Sequence, residues 1–435
     1  MIYPTRPCVL AALIGAPLAL VAALMQPNLW LAAPGWLLGL GLLMVVDAVL
    51  AAPARSADVR LDVPGYLAVA APSEARLIVD FGNGRAVHQK LEAALDAEAR
   101  VGLEQSRGRR VSETEFAFPL KPERRGTAIF NEAIVRWRGP LGLIWRQTRR
   151  PLPVQTPVGS DIRRIEDEAL RMFSRDDQHG AKVQLDVGEG AEFHALRDFH
   201  SGMDRRTVDW KQSARHHTLL AKEFRIERNH QVVMALDCGR TMSEPVDGAP
   251  RIDRAIHGAL ILAYASLRGG DRAGLFAFDG RPRLSTGAVT GVGAFPLLVR
   301  QAANIDYGTE ETNYAFGLTS LSATLKRRSL IVIFTEFADS TSAELMIESV
   351  GRLIRKHLVL FVVMRDDELE GLVSAVPETP EDVSRAVVAA TLLRERDVVL
   401  GRLRRLGAHI VEAPADRLGP EALNVYLDLK RRDLL

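Results

Sequence analysis

The chain holds almost no cysteine: Cys8 and Cys238 are the only two in 435 residues. A disulfide framework is thereby excluded, and the soluble part reads as belonging to a reducing compartment. Charge of one sign is also missing. Lys and Arg number 56 against 54 Asp and Glu, a formal net charge of +2, so nothing in the balance asks for a nucleic-acid partner. The basic clusters Arg107 with Arg109 and Arg110, Lys121 to Arg125, and Arg146 to Arg150 read as solvated loop charge. No Gly-rich phosphate loop of Walker type follows any apolar strand, which argues against intrinsic nucleotide hydrolysis.

Long apolar runs, by contrast, are present. Residues 9–25 and 29–52 are apolar and free of Lys and Arg, separated by Gln26, Pro27 and Asn28. The second has the roughly 20 residues that a bilayer requires; the first is shorter and contains Pro17. Residues 1–56 are therefore expected to form a transmembrane helical hairpin that contacts the lipid bilayer. A cleaved signal peptide would leave the second run unexplained. Arg6 precedes the first run, Arg55 and Arg60 follow the second, and the turn between them is uncharged, so both ends should face the cytoplasm. The expected location is a bacterial inner membrane, multi-pass, with cytoplasmic soluble domains. Asp47, close to the end of the second run, reads as a hydrated interfacial carboxylate.

At roughly 100 to 200 residues per domain, the 435 residues predict two or three folded units. Residues 57–158 carry short alternating segments broken by turns such as Gly82-Asn83-Gly84, the pattern of a small antiparallel β-sandwich in which Trp137 and Trp145 pack. Residues 159–228 are charged and mixed, beginning with a helical stretch IRRIEDEALRMF. In residues 229–435 the apolar strands VVMALD, AGLFAFD, LIVIFTEF, LVLFVVMRD and HIVEAP alternate with amphipathic helices. That alternation predicts an α/β, doubly wound, mostly parallel sheet covered on both faces, with its ligand site beyond the carboxyl ends of the strands.

Three polar segments fall at that edge: Asp237 with Gly239, Thr241 and Ser243; the stretch carrying Thr309 and Thr312 before a helix; and Thr335-Glu336. Carboxylate and hydroxyl oxygens from two loops are the ligands a hard cation takes. The order strand, D-x-[S/G]-x-[S/T], helix, a T-N before a later helix, then a strand ending in T-[D/E] resembles the von Willebrand factor type A (Rossmann-like) fold with its metal-ion-dependent adhesion site. The resemblance implies Asp237, Thr241, Thr312 and Glu336 as ligands of Mg2+ or another divalent cation. Gly239 stands in place of the first Ser of that pattern and Glu336 in place of the usual Asp, which weakens the site.

Upstream, Asp204, Arg206, Asp209, Trp210 and Arg215 recur at the offsets of a D-x-R-x-x-D-W signature followed by Ala-Arg. Acid, guanidinium and one large aromatic suit either locking this segment onto the next domain or contacting a partner. The signature resembles the bacterial domain of unknown function 58 family, with Phe199, Ser201 and Met203 departing from its pattern. That family is associated with MoxR-type AAA+ ATPases, so such an ATPase is the partner the resemblance implies. The expected function is a membrane-anchored binding or adaptor protein, not an enzyme, acting in assembly or maturation of cell-envelope or enzyme complexes. Two alternatives stay open. A haloacid-dehalogenase-like phosphohydrolase would use Asp237 as nucleophile but finds Gly239 where its second Asp belongs. A structural envelope protein would carry a pseudo-site that binds nothing.

Overall fold

The computed structural model describes residues 1–26, 31–82, 90–178, 187–200, 205–216, 218–225, 229–246, 248–337 and 340–435. It divides into two compact units, Met1–Asp161 and Ile162–Leu435.

The first unit begins with β1 (Ile2–Pro4), α1 (Arg6–Met25) and α2 (Ala32–Leu50), followed by β2 (Ala57–Asp62), β3 (Leu67–Ala68), β4 (Ser73–Phe81), β5 (Glu92–Ala97), β6 (Arg109–Arg110), β7 (Glu115–Leu120), β8 (Gly126–Arg138) and β9 (Ile144–Gly159). One sheet runs β1-β9-β8-β5 with β3 alongside β9, the other β2-β4-β7-β6. Strand β4 shows why they pack together: Ala75, Leu77 and Val79 are buried while Arg76, Ile78 and Asp80 between them are exposed. The inward residues of both sheets, among them Leu77, Phe116, Phe118, Phe130 and Trp137, form one core. Pro34–Ser56, with mean hydropathy 2.1, is long and apolar enough to cross a membrane; Arg6–Val21 is apolar but shorter.

The segments entering α1 and leaving α2 are both fastened to the β8–β9 hairpin. Strand β1 pairs with β9, Ile2 against Arg146, and Thr5 Oγ1 donates to Gly142 O at 2.8 Å. After α2, Trp137 Nε1 donates to Ala52 O at 3.2 Å, and Arg146 Nη1 donates to Ala51 O and Ala52 O at 3.0 and 2.8 Å. Asp47 is not the hydrated carboxylate that the sequence suggested: it is fully buried. Its Oδ1 accepts from Leu141 N at 2.7 Å, and its Oδ2 from Leu143 N and Ile144 N at 2.8 and 3.0 Å. The β8–β9 turn wraps the carboxylate so closely that a Cβ on Gly139 would lie 2.3 Å from it. Proximity to an apolar run's end suggested water; the supply of backbone donors from a turn 94 to 97 residues away replaced it.

The second unit opens with α3 (Ile162–Gln178), β10 (Val187–Asp198), α4 (Trp210–His216) and β11 (Leu220–Arg225), the last pairing with β10. Its sheet and surroundings follow: β12 (Gln231–Asp237), α5 (Arg240–Ser243), the small pair β13 (Pro245–Val246) and β14 (Ala249–Pro250), α6 (Arg251–Arg268), β15 (Arg272–Phe278), β16 (Pro282–Ser285), β17 (Val289–Thr290), α7 (Phe295–Ala303), α8 (Tyr314–Thr324), β18 (Leu330–Phe334), α9 (Ser340–Ile354), β19 (Leu358–Met364), α10 (Asp367–Ser374), α11 (Pro380–Leu406), β20 (His409–Ala413) and α12 (Leu418–Arg431). The five apolar strands expected from the sequence pair in parallel, in the order β15-β12-β18-β19-β20. Strand β16 adds an antiparallel edge beyond β15, which the sequence reading missed because its mostly exposed residues PRLS lack an apolar run.

The first three strands of this sheet succeed one another toward one edge, and the last three toward the other. The reversal lies between β12 and β18, where connections leave in opposite directions and open a crevice at the carboxyl ends. Asp237 ends β12 and Thr335 follows β18 at that crevice. At the opposite edge, buried Asp271 accepts from Tyr426 Oη and from Lys430 Nζ at 2.8 Å, fixing α12.

Candidate functional site

Asp237 is 1% exposed and is the acceptor for four donors. Its Oδ1 takes Gly239 N at 2.9 Å and Thr312 Oγ1 at 2.6 Å; its Oδ2 takes Thr335 Oγ1 at 2.6 Å and Tyr314 Oη at 3.0 Å. Tyr314 Oη also lies 2.8 Å from Thr335 Oγ1 and 3.2 Å from Glu336 O. Three chain segments thus meet on one carboxylate. Burial pushes its pKa up, against the pull of these four hydrogen bonds. Burial and the Asp237 charge push the Tyr314 phenol well up, so it stays a neutral donor.

Local chemistry positions each donor. Asn313 caps α8, its side chain accepting from Phe316 N, which places Thr312 just outside the helix and Tyr314 at its first residue. The preceding loop is pinned to the β12 loop by Arg240 N donating to Glu310 O at 2.8 Å and Ser243 Oγ donating to Gly308 O at 2.8 Å. Gly239 is required by this arrangement: a Cβ there would lie 2.0 Å from Thr312 Oγ1. The Thr312 hydroxyl therefore occupies the space that a Ser side chain at 239 would start from. Gly308 is equally constrained, since its Cβ would fall 1.9 Å from Cys238 O.

Of the four residues suggested as cation ligands, Asp237 and Thr312 are in direct contact. Thr241 sits half-buried in α5 and is not among the groups bonded to Asp237. Glu336 contributes its carbonyl to the cluster, while its carboxylate lies 3.5 Å from Arg396 Nε, both side chains 11% exposed. Burial raises the Glu336 pKa to about 7 against the opposing attraction of Arg396. Behind it Arg251 pairs with Asp366 at 3.1 Å. Tyr314 was not legible as a site residue, because an aromatic opening a helix ordinarily reads as core.

The donor set is all oxygen, with one carboxylate and neutral hydroxyls whose protons can rotate away. That chemistry fits a weakly held hard cation at Asp237 and Thr312. Among the described residues no three His, Cys, Asp or Glu side chains converge as a metal site. The groups bonded to Asp237 are all donors, with no second carboxylate among them.

The upstream signature is described in part. Asp204 and the side chain of Arg206 lie outside the described residues. Asp209 caps α4, its Oδ1 accepting from Lys211 N and Gln212 N at 3.0 and 3.1 Å. Ser213 Oγ donates to Asp209 O at 2.7 Å and accepts from Leu220 N at 2.9 Å, tying α4 to β11. Trp210 is 70% exposed and Arg215 is exposed, so neither is spent on the core.

No curated protein matches the chain. Among solved structures, the chain is similar to the conserved hypothetical protein BatB from Bacteroides thetaiotaomicron (10% identity, 46% of this chain and 99% of that one, TM-score 0.27). It is similar also to an aerotolerance-related membrane protein from Bacteroides fragilis NCTC 9343 (13%, 46% and 98%, TM-score 0.27). A third is an uncharacterized membrane spanning protein from Vibrio fischeri (15%, 46% and 98%, TM-score 0.16). The sequence itself matches the family described as Protein of unknown function DUF58 over residues 195–393.

Proposed function

We propose that the protein is a membrane-anchored binding protein, not an enzyme, whose von Willebrand factor A-like second unit recruits a partner at the carboxyl edge of the parallel sheet. The carrying observation is the buried Asp237 at the strand-order reversal, where donors from three chain segments meet on one carboxylate. A cation held by Asp237 and Thr312 would offer a partner carboxylate a coordination position; the chain's own part is to hold the charged carboxylate and turn the Thr312 hydroxyl. Cation uptake requires ionised Asp237, so its raised pKa makes affinity increase with pH.

The anchor in this proposal is a transmembrane hairpin of α1 and α2 in a bacterial inner membrane with both ends cytoplasmic. It is supported by the apolar stretch Pro34–Ser56 and by the fastening of both flanking segments to one β-hairpin. The proposed partner is a MoxR-type AAA+ ATPase, acting with this chain in maturing an envelope or enzyme complex. The test is capture of the full chain from membranes, wild type beside Thr312→Val and Asp237→Asn, each checked for folding by thermal unfolding. An AAA+ ATPase present with wild type and lost with both variants supports the reading. Equal capture by all three removes the Asp237 edge from the contact, and a Mg2+ or Mn2+ titration without a thermal shift at millimolar metal removes the cation.

A further inference from the structure

A second surface belongs to none of this. Helix α11 is anchored by its C-terminal half, where Val399, Leu400 and Leu403 are buried. Its first turns carry exposed apolar side chains: Val383, Val387, Val388 and Leu392 are 48, 61, 58 and 43% exposed. The pairs Val383 with Val387 and Val388 with Leu392 are four apart, so they form two neighbouring rows, a broad apolar band along the helix. Helix α10 packs against α11 and adds Val373 at 43%, and the connecting loop adds Val376 at 87%. This hairpin is not a frayed end. Asp366 caps α10 by accepting from Leu369 N, and Thr379 with Asp382 forms a capping box for α11 behind Pro380.

The charge around these positions is mixed but predominantly acidic: Arg385 pairs with Glu381 at 2.7 Å and Arg365 with Glu370 at 3.9 Å, Arg394 follows Leu392, and acid remains in excess. From Asp366 to Asp382 the chain carries seven acidic residues, Asp366, Asp367, Glu368, Glu370, Glu378, Glu381 and Asp382, and no Lys or Arg. Contiguous exposed apolar side chains on a well-capped helix mark a docking face, and the acidic rim states what docks. An anionic membrane surface would be repelled. A second copy placed face to face by two-fold symmetry would set acid against acid. A basic amphipathic helix satisfies both the apolar band and the rim. We propose that the α10–α11 hairpin is the docking site for a basic amphipathic helix of a partner protein, a surface that does not depend on a cation at Asp237.

The experiment uses the full chain in phosphatidylcholine nanodiscs, with a dye on Val376→Cys; Cys8 and Cys238 are each 2% exposed, which makes labelling selective. The probes are two synthetic helices sharing one leucine stripe, the first with Lys and Arg on its polar face and the second with Glu. Expected are a dye response to the basic helix, binding of the acidic helix at least about tenfold weaker, and at least about tenfold loss in Val387→Asp/Val388→Asp. These positions are exposed, so folding survives the change. In Glu378→Lys/Glu381→Lys the preference should narrow or reverse. Equal binding of both helices, or undiminished binding to the valine variant, overturns the proposal. So does a dye response to phosphatidylglycerol vesicles without one to the helix, which assigns the face to lipid. A dimer abolished by the valine variant, again without helix binding, assigns it to a second copy.

Discussion

Asp47 and Asp237 are both shut away from water, at 0 and 1% exposure, yet they are held by different kinds of donor. Asp47 receives three backbone N–H groups of one turn, whose directions are fixed by the chain. Asp237 receives one N–H and three side-chain hydroxyls from two other segments. A backbone N–H can only donate, whereas a hydroxyl both donates and accepts and can rotate. The first carboxylate is consequently a permanent fastener between α2 and the β8–β9 hairpin. The second sits among hydroxyls that can turn about their own bonds, the property on which the proposed binding role rests.

The largest effect that tests this contrast is Asp47→Ala. Three N–H groups lose a buried acceptor, and the full chain in detergent should lose about 3 kcal/mol or more in chemical unfolding. Added divalent cation should not alter that loss. A loss below about 1 kcal/mol would mean that the turn finds other acceptors, and the contrast would fail.

Next in size is the pH response of the second unit. The folded-state pKa of Glu336, about 7, lies above its ordinary 4.5. Its contribution to stability is complete below about pH 4.5 and is lost as pH rises through about 7, amounting to at most about 3 kcal/mol. Relative to wild type, Glu336→Gln should flatten unfolding free energy between pH 5 and pH 8, conditions set by that window. A wild-type curve that rises with pH across this window, by the same amount more than in the variant, would reverse the sign and refute the assignment.

Gly239→Ser should cost about 2 kcal/mol, because the new Cβ takes the space of Thr312 Oγ1. Thr312→Ala in the same chain removes the collision, so the double variant should recover part of the loss. Additive losses in a double-mutant cycle would show that the two positions do not compete. This test also bears on how much was readable in advance. Apolar continuity located the five parallel strands, since a strand buried on both faces must be apolar throughout. Asp237, Thr312 and Thr335 were visible as polar ends of that pattern. What sequence could not supply was which hydroxyl turns inward: Thr241 is two residues from Gly239 but stays out of the shell, and Tyr314 enters it from 77 residues away. Gly239 read as a missing ligand; sterically it is the vacancy that Thr312 fills. Asp47 was misjudged for a related reason, its partners being far along the chain and all backbone.

The smallest effect is the most discriminating, because no counterpart exists at Asp47, where no donor can be removed by changing a side chain. Tyr314→Phe deletes the phenol that donates to Asp237 and lies against Thr335 and the Glu336 carbonyl, and it leaves the ring in contact with Phe278. The expected loss is about 1 kcal/mol. A donor to the carboxylate favours its charged form, so its removal pushes the already raised Asp237 pKa further up. The loss should therefore be larger above that pKa than below it, where the protonated acid needs fewer donors. A loss of the same size at every pH would mean that the phenol packs without supporting the charge, and Asp237 would then be as fixed a structural element as Asp47.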